Sequence, residues 1–115
     1  LSLQRKLTEA IANLEKLLGG PRDGALLRYS LGNELLKSGN PAAAAVRLRE
    51  ALERDPHHTA AWKLLGKALA ESGLQEEALV AYRQGITNAE AKGDLQAAKE
   101  MTVFAKRLEK ALAGS

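Results

Sequence analysis

The chain has 115 residues, of which 45% are hydrophobic and 27% charged, and this is the balance of a soluble globular domain. It contains no cysteine, which excludes disulfides and thiolate metal sites. The formal net charge is only +3, with acidic and basic residues interspersed, so charge gives little support to nucleic-acid binding. No apolar run approaches the ~18 residues of a membrane span. We expect a cytoplasmic domain; because the chain begins at Leu1 rather than Met, a periplasmic location and a longer parent protein stay open.

Helix-forming residues dominate the chain, and glycine and proline interrupt it at regular intervals. Ala, Leu, Glu, Lys and Arg favour helices, while the β-branched and aromatic residues typical of strands are scarce. The connections are short, so neighbouring helices are expected to pack as antiparallel hairpins. The predicted helical segments are, in chain order, 3–18, 25–38, 41–54, 59–72, 75–92 and 95–112.

Residues between the predicted helices have specific roles at helix ends. Gly39 and Gly73 favour the left-handed backbone conformation that terminates a helix. Asn40 is expected to cap the following helix, with Pro41 at its first position, where a missing N–H does no harm. Asp94 is expected to cap the last helix through its carboxylate.

Two of the predicted hairpins are copies of each other. A shift of 34 residues places the pair 31–32 on 65–66, Gly39 on Gly73, Ala44 on Ala78 and Arg49 on Arg83, without a gap. Such a match indicates an internal repeat of two helices.

The repeated positions resemble the signature of the tetratricopeptide repeat family. This resemblance implies an all-α fold of about six helices, in which antiparallel helix pairs stack as a right-handed superhelical solenoid. It assigns 25–58 to repeat one and 59–92 to repeat two of a single domain, 1–115. The matching residues are Leu31, Gly32, Ala44, Ala51 and Pro56 in the first copy, and Trp62, Leu65, Gly66, Ala78 and Tyr82 in the second.

The segments outside the two repeats extend the same pattern. Residues 3–18 are interpreted as the second helix of a truncated earlier repeat, although an unrelated amphipathic helix would show the same spacing. Residues 95–112 carry an apolar face from Leu95 to Leu112 and a charged opposite face. That division is typical of a terminal capping helix.

The chain departs from the family pattern at three positions. Arg28 stands where repeat two has the large residue Trp62, and Gly85 stands where a small alanine is expected. Glu90 replaces the closing proline of repeat two, which predicts that this helix continues to Lys92.

The glycines inside the predicted helices are unfavourable for helix formation, because each destabilises a helix by about 1 kcal/mol relative to alanine. Gly32 and Gly66 lie on the first helix of each pair, and we expect them to face Ala44 and Ala78 on the second. Small residues on both sides would let the two helix backbones approach closely.

No set of residues typical of catalysis is present, and we expect no enzyme activity, cofactor or metal. The sequence has no phosphate-binding glycine loop, no nucleophile motif and no zinc-ligand spacing. His57 and His58 are adjacent in a loop and point in different directions, so we interpret them as loop or helix-cap residues.

A binding face is easier to predict than a catalytic site. In the family, the first helices of successive repeats line a concave groove. The corresponding residues here are Leu26, Tyr29, Asn33, Leu36 and Lys37 in repeat one, and Ala60, Lys63, Lys67, Ala70 and Glu71 in repeat two. A spacing of four residues places each polar set on one helix face. The polar candidates for the binding site are Tyr29, Asn33, Lys37, Lys63 and Lys67.

The leading functional hypothesis is a non-catalytic module that binds a protein or an acidic peptide through charge-assisted hydrogen bonds. A structural or homo-oligomerising domain of a larger protein is the first alternative. Weak nucleic-acid binding through the basic last helix is the second, and it predicts an affinity that falls steeply with salt.

Overall fold

The computed structural model describes residues 2–114, and all regular secondary structure in that range is helical. The all-α fold class is therefore confirmed. The helices are α1 Ser2–Glu15, α2 Ala25–Lys37, α3 Pro41–Arg54, α4 Thr59–Glu71, α5 Gln75–Lys92 and α6 Leu95–Ala113. Within the described residues, no helix is both long enough and apolar enough to cross a membrane.

The bounds of α2 to α6 lie within one residue of the predicted segments, but α1 ends three residues earlier than predicted, at Glu15. The chain then tightens, since the Leu17 N–H donates to Leu14 and the Leu18 N–H to Glu15, three residues back rather than four. Gly19 follows with φ of 80°, in the left-handed region that glycine adopts most readily.

The helix ends are those predicted at three of four positions. Gly39 and Gly73 are left-handed, with φ of 85° and 79°, and the Asp94 carboxylate accepts a hydrogen bond from an N–H in the first turn of α6 at 3.1 Å. The predicted cap at Asn40 is wrong. Its side-chain amide donates to the Ser38 hydroxyl at 3.1 Å instead, and no side chain caps α3.

The chain forms two compact units, Leu1–Pro56 and His57–Ser115. In the first unit α2 packs against α3, and α1 packs on α2. In the second unit α5 packs against both α4 and α6. Each unit has its own core of fully buried side chains: Leu31 and Leu48 in the first, and Leu65, Leu69 and Met101 in the second.

Both helix glycines are buried, and each gives room to a large residue of the paired helix. A Cβ on Gly32 would lie 2.6 Å from Leu48 Cγ, and a Cβ on Gly66 would lie 2.6 Å from ring atoms of Tyr82. The close approach is as expected, but the atoms nearest to each Cβ position belong to a large side chain and not to an alanine. The expected alanine does lie beside Gly32, since the Ala44 carbonyl oxygen is 3.3 Å from the Cβ position.

Gly85 makes the same kind of room for α6. A Cβ on Gly85 would lie 2.5 Å from Met101 Sδ and 2.9 Å from Trp62 Cβ. The predicted apolar face of α6 is buried at Ala98, Met101, Ala105 and Leu108. The two ends of this face are not buried: Leu95, at the first residue of the helix, is 64% exposed, and Leu112 is half-buried.

Candidate peptide-binding faces

In the second unit, three of the predicted groove residues lie on one face of α4. We call Lys63, Lys67 and Glu71 the α4 strip. Their spacing of four residues aligns them along the helix. Lys67 and Glu71 are exposed, and the Lys63 side chain keeps 38% of its accessible surface.

Lys63 is paired with a residue that the sequence did not point to. Its Nζ lies 2.9 Å from Oε2 of Glu100, which α6 brings to the strip. Since Glu100 also keeps 43% of its surface, this ion pair is reachable by solvent and by a ligand. Lys67, one turn further along α4, has no ion-pair partner among residues 2–114.

In the first unit, the α2 strip consists of Tyr29, Asn33 and Lys37. Tyr29 and Asn33 are half-buried, and Lys37 is exposed. Lys37 Nζ lies 3.6 Å from Glu34 Oε1 on the same helix, an i,i+3 pair that leaves the ammonium group largely in solvent. This strip carries one lysine where the α4 strip carries two, and it offers more amide and aromatic surface.

Of three other predicted groove residues, two are exposed and one is buried. Leu26 is 72% exposed, as a groove residue should be, and Ala60 is exposed. Leu36 was assigned to the groove wrongly. It is 8% exposed and belongs to the core, because it lies one turn beyond the buried pair at 31–32 on the packing face of α2.

Arg28 has a structural role that the sequence showed only as a departure from the family pattern. Its guanidinium makes a two-pronged contact with Asp23, with Nε and Nη2 at 2.9 and 2.6 Å from the two carboxylate oxygens. Its Nη1 lies 2.8 Å from Glu50 Oε1 on α3. The signal in the sequence is an arginine at a position where the family pattern has a large apolar residue. A largely buried arginine needs acidic partners, and Asp23 and Glu50 are the acids that supply them.

These contacts fix the charge states of the cluster. The hydrogen bonds from Arg28, and then the backbone N–H of Gly19, hold the pKa of Asp23 well below its usual range. Burial by itself would raise the pKa of Glu50, but hydrogen bonds from Arg28 and Arg47 lower it overall. Both carboxylates are therefore ionised at neutral pH, and the cluster is an ion-pair network within the first unit.

The two adjacent histidines occupy the loop and cap positions predicted for them. His58 Nδ1 accepts a hydrogen bond from an N–H in the first turn of α4 at 3.1 Å. The carbonyl oxygen of His57 accepts from Asn88 Nδ2 at 2.9 Å and from the Lys92 ammonium. Asn88 also donates to the Thr59 hydroxyl at 2.8 Å, so the longer α5 ties down the loop before α4. Across residues 2–114, no three His, Asp or Glu side chains gather as a metal site would require.

Known proteins share both the sequence pattern and the fold. A profile of the tetratricopeptide repeat matches residues 29–94. A TPR repeat-containing protein of Pseudomonas aeruginosa is 46% identical over 101 residues, which cover 88% of this chain and 96% of that protein. The solution structure of a protein from Bordetella parapertussis has a TM-score of 0.76 to this chain, with 38% identity and 88% of each chain covered.

One more distant relative is named as an enzyme. The Beta-barrel assembly-enhancing protease of Yersinia pestis is 30% identical over 83 residues. The match covers 72% of this chain but only 17% of that protease. The similarity therefore concerns a minor part of the protease.

Proposed function

Because the chain belongs to the tetratricopeptide repeat family, we propose that it is a non-catalytic module that binds a peptide or protein partner on the first helices of its repeats. Domains of this family generally act as protein–protein interaction modules, and their fold is generally non-catalytic. A groove along the first helices is the family's usual binding surface. The corresponding residues of this chain are the α2 strip in the first unit and the α4 strip in the second, and each is proposed as a binding face of its own unit.

The observation that carries this proposal is the α4 strip. Two lysines one turn apart lie on a solvent-accessible helix face, and Lys67 has no ion-pair partner within residues 2–114. Ammonium groups in such positions form charge-assisted hydrogen bonds with carboxylates, which are shorter and stronger than neutral ones. We propose an acidic segment as the ligand of the α4 strip. In the first unit, the amide of Asn33 and the Tyr29 ring are the candidate polar and aromatic contacts of the α2 strip.

Charge reversal on the α4 strip tests the proposal. The chain and its Lys63→Glu/Lys67→Glu variant are used for affinity capture from the source cell, and the captured partner is identified, purified and titrated by calorimetry. We expect the variant to bind this partner about tenfold more weakly or worse, because two charge-assisted hydrogen bonds are lost. Lys106→Glu/Lys110→Glu on α6 is the matched control, since both side chains are exposed and lie outside the strip.

Equal affinity of the two charge-reversal variants and the original chain would exclude the α4 strip as the binding surface. Sedimentation at several protein concentrations checks the alternative partner, a second copy of the chain. Only self-association makes the apparent mass rise with concentration.

A further inference from the structure

We infer that Glu100 of α6 is a built-in competitor of the ligand, holding Lys63 until a sufficiently acidic segment displaces it. This inference rests on the proposed function of the α4 strip and adds a residue that determines its specificity. It assigns α6 a role beyond covering the end of the second unit.

The geometry places Glu100 where a ligand carboxylate would bind. Glu100 Oε2 lies 2.9 Å from Lys63 Nζ, which is the distance of a charge-assisted hydrogen bond. The contact joins residues 37 positions apart on two helices, so it results from the fold and not from helix periodicity. A carboxylate brought by a peptide would compete with Glu100 for the charge of the Lys63 ammonium group.

The contact is suited to exchange because it is only half-buried. The two side chains keep 38% and 43% of their surface. Ion pairs at such exposure contribute little to stability, so breaking one costs the fold little. The Lys63 ammonium can then transfer from one carboxylate to another without leaving solvent.

The charges around the strip explain why displacement needs an acidic segment. Lys63 and Lys67 carry two positive charges, and Glu71 and Glu100 carry two negative ones, so the surface is neutral as a whole. A single carboxylate gains little from a neutral surface. A segment with several carboxylates can contact Lys67 first, which is unpaired within residues 2–114, and then replace Glu100 at Lys63.

The experiment uses one defined probe and one matched control variant. The probe is a fluorescent peptide of alternating glutamate and alanine with blocked ends, and binding is followed by fluorescence anisotropy. We expect Glu100→Gln to bind the probe about two- to fivefold more tightly than the unchanged chain. Glu109→Gln is the control: it removes the same charge from the same helix and breaks a similarly exposed pair with Arg83, at 2.9 Å. It should change the affinity less than Glu100→Gln does.

Lysine variants separate the possible outcomes. In the Lys63→Gln background the gain from Glu100→Gln should disappear, since the contested ammonium is absent. If Lys67→Gln weakens binding but Glu100→Gln has no more effect than Glu109→Gln, the inference is wrong while the proposed function stands. If neither Lys63→Gln nor Lys67→Gln alters binding, the strip does not bind acidic segments and both are wrong. Tighter binding of a lysine–alanine probe than of the glutamate probe also overturns the inference, because Glu100 would then be a ligand contact.

Discussion

At Gly66 a single missing methyl group sets the distance between α4 and α5. A Cβ there would lie 2.6 Å from the Tyr82 ring, which is 4% exposed. We expect Gly66→Leu to lower the free energy of unfolding by about 1–3 kcal/mol or more through overpacking. Gly66→Ala should cost less, because alanine adds only one methyl group at the contact, and the helix propensity regained, about 1 kcal/mol, offsets part of the strain. Urea unfolding followed by circular dichroism measures both losses.

The neighbouring exposed residue provides the control for this prediction. Lys67→Ala changes the same turn of α4 without entering the contact and should unfold close to the original midpoint. Burial, and to a lesser degree Glu71, raise the pKa of Tyr82 to about 12, so the ring stays neutral throughout the experiment. A Gly66→Leu chain as stable as the original would show that α4 and α5 do not meet there.

The Arg28 cluster makes stability depend on pH in a defined direction. A carboxyl whose pKa is lower in the folded than in the unfolded state stabilises the fold above its unfolded pKa, and this stabilisation is lost as the pH falls through the folded pKa. The ordinary value for Asp23 is 3.8, and its folded value is lower. We therefore expect stability to decline from about pH 5 downward, and Asp23→Asn to be less stable at neutral pH with a shallower decline.

Thermal unfolding at a series of pH values measures this slope. Glu53→Gln, at an exposed position on α3 near Glu50, is the comparison variant and should keep the original slope. If Asp23→Asn shows the same slope as the unchanged chain, the pair with Arg28 does not couple protonation to folding.

At the residue scale, the sequence identified the positions that matter but not their neighbours. The shift of 34 residues aligns Gly32 with Gly66. Because glycine destabilises a helix, its presence at both positions indicated a close packing contact. It could not show that Leu48 and Tyr82 fill the space, since that depends on side-chain directions across two helices. Arg28 was visible only as an exception, because its partners lie outside its own helix.

At the scale of helices, local chemistry predicted most ends well. Left-handed glycines and an aspartate cap act within a few residues, so the sequence contains the information they need. The end of α1 was placed too late because a contact across the loop decides it: the Gly19 N–H donates to the Asp23 carboxylate at 2.8 Å. A loop contact also explains why Asn40 does not cap α3: the Asn40 side-chain amide donates to the Ser38 hydroxyl instead.

The long helix α5 gives a prediction of its own. Asn88 is 9% exposed and donates to the His57 carbonyl and the Thr59 hydroxyl. We expect Asn88→Ala to lower the free energy of unfolding by about 1–2 kcal/mol, because two part-buried hydrogen bonds from its amide are lost. Asn13→Ala, on the exposed side of α1, is the matched control. Chemical denaturation measures the unfolding midpoint of both variants. If Asn88→Ala has the same midpoint as Asn13→Ala, Asn88 does not hold the loop.

At the scale of the whole chain, the repeat pattern predicted the fold class, while the binding face was predicted only in part. Periodicity places Lys63 and Lys67 on one face because both belong to α4. It does not reveal Glu100, since α6 lies outside the repeat and its register against α4 follows from packing at Met101 and Gly85. A charge that modifies a predicted face is thus visible only once the helices are assembled.

The two compact units predict how a local defect spreads. Each unit has its own core, with Gly32 at a close helix contact in the first and Gly66 in the second. In repeat proteins opening takes place in partly independent segments. Gly32→Ala should therefore lower amide protection mainly in α2 and α3, and Gly66→Ala mainly in α4, α5 and α6. Native-state hydrogen exchange resolved by peptide measures this, with each variant as the control for the other. Equal loss of protection in both units for both variants would show that the chain opens as one cooperative body.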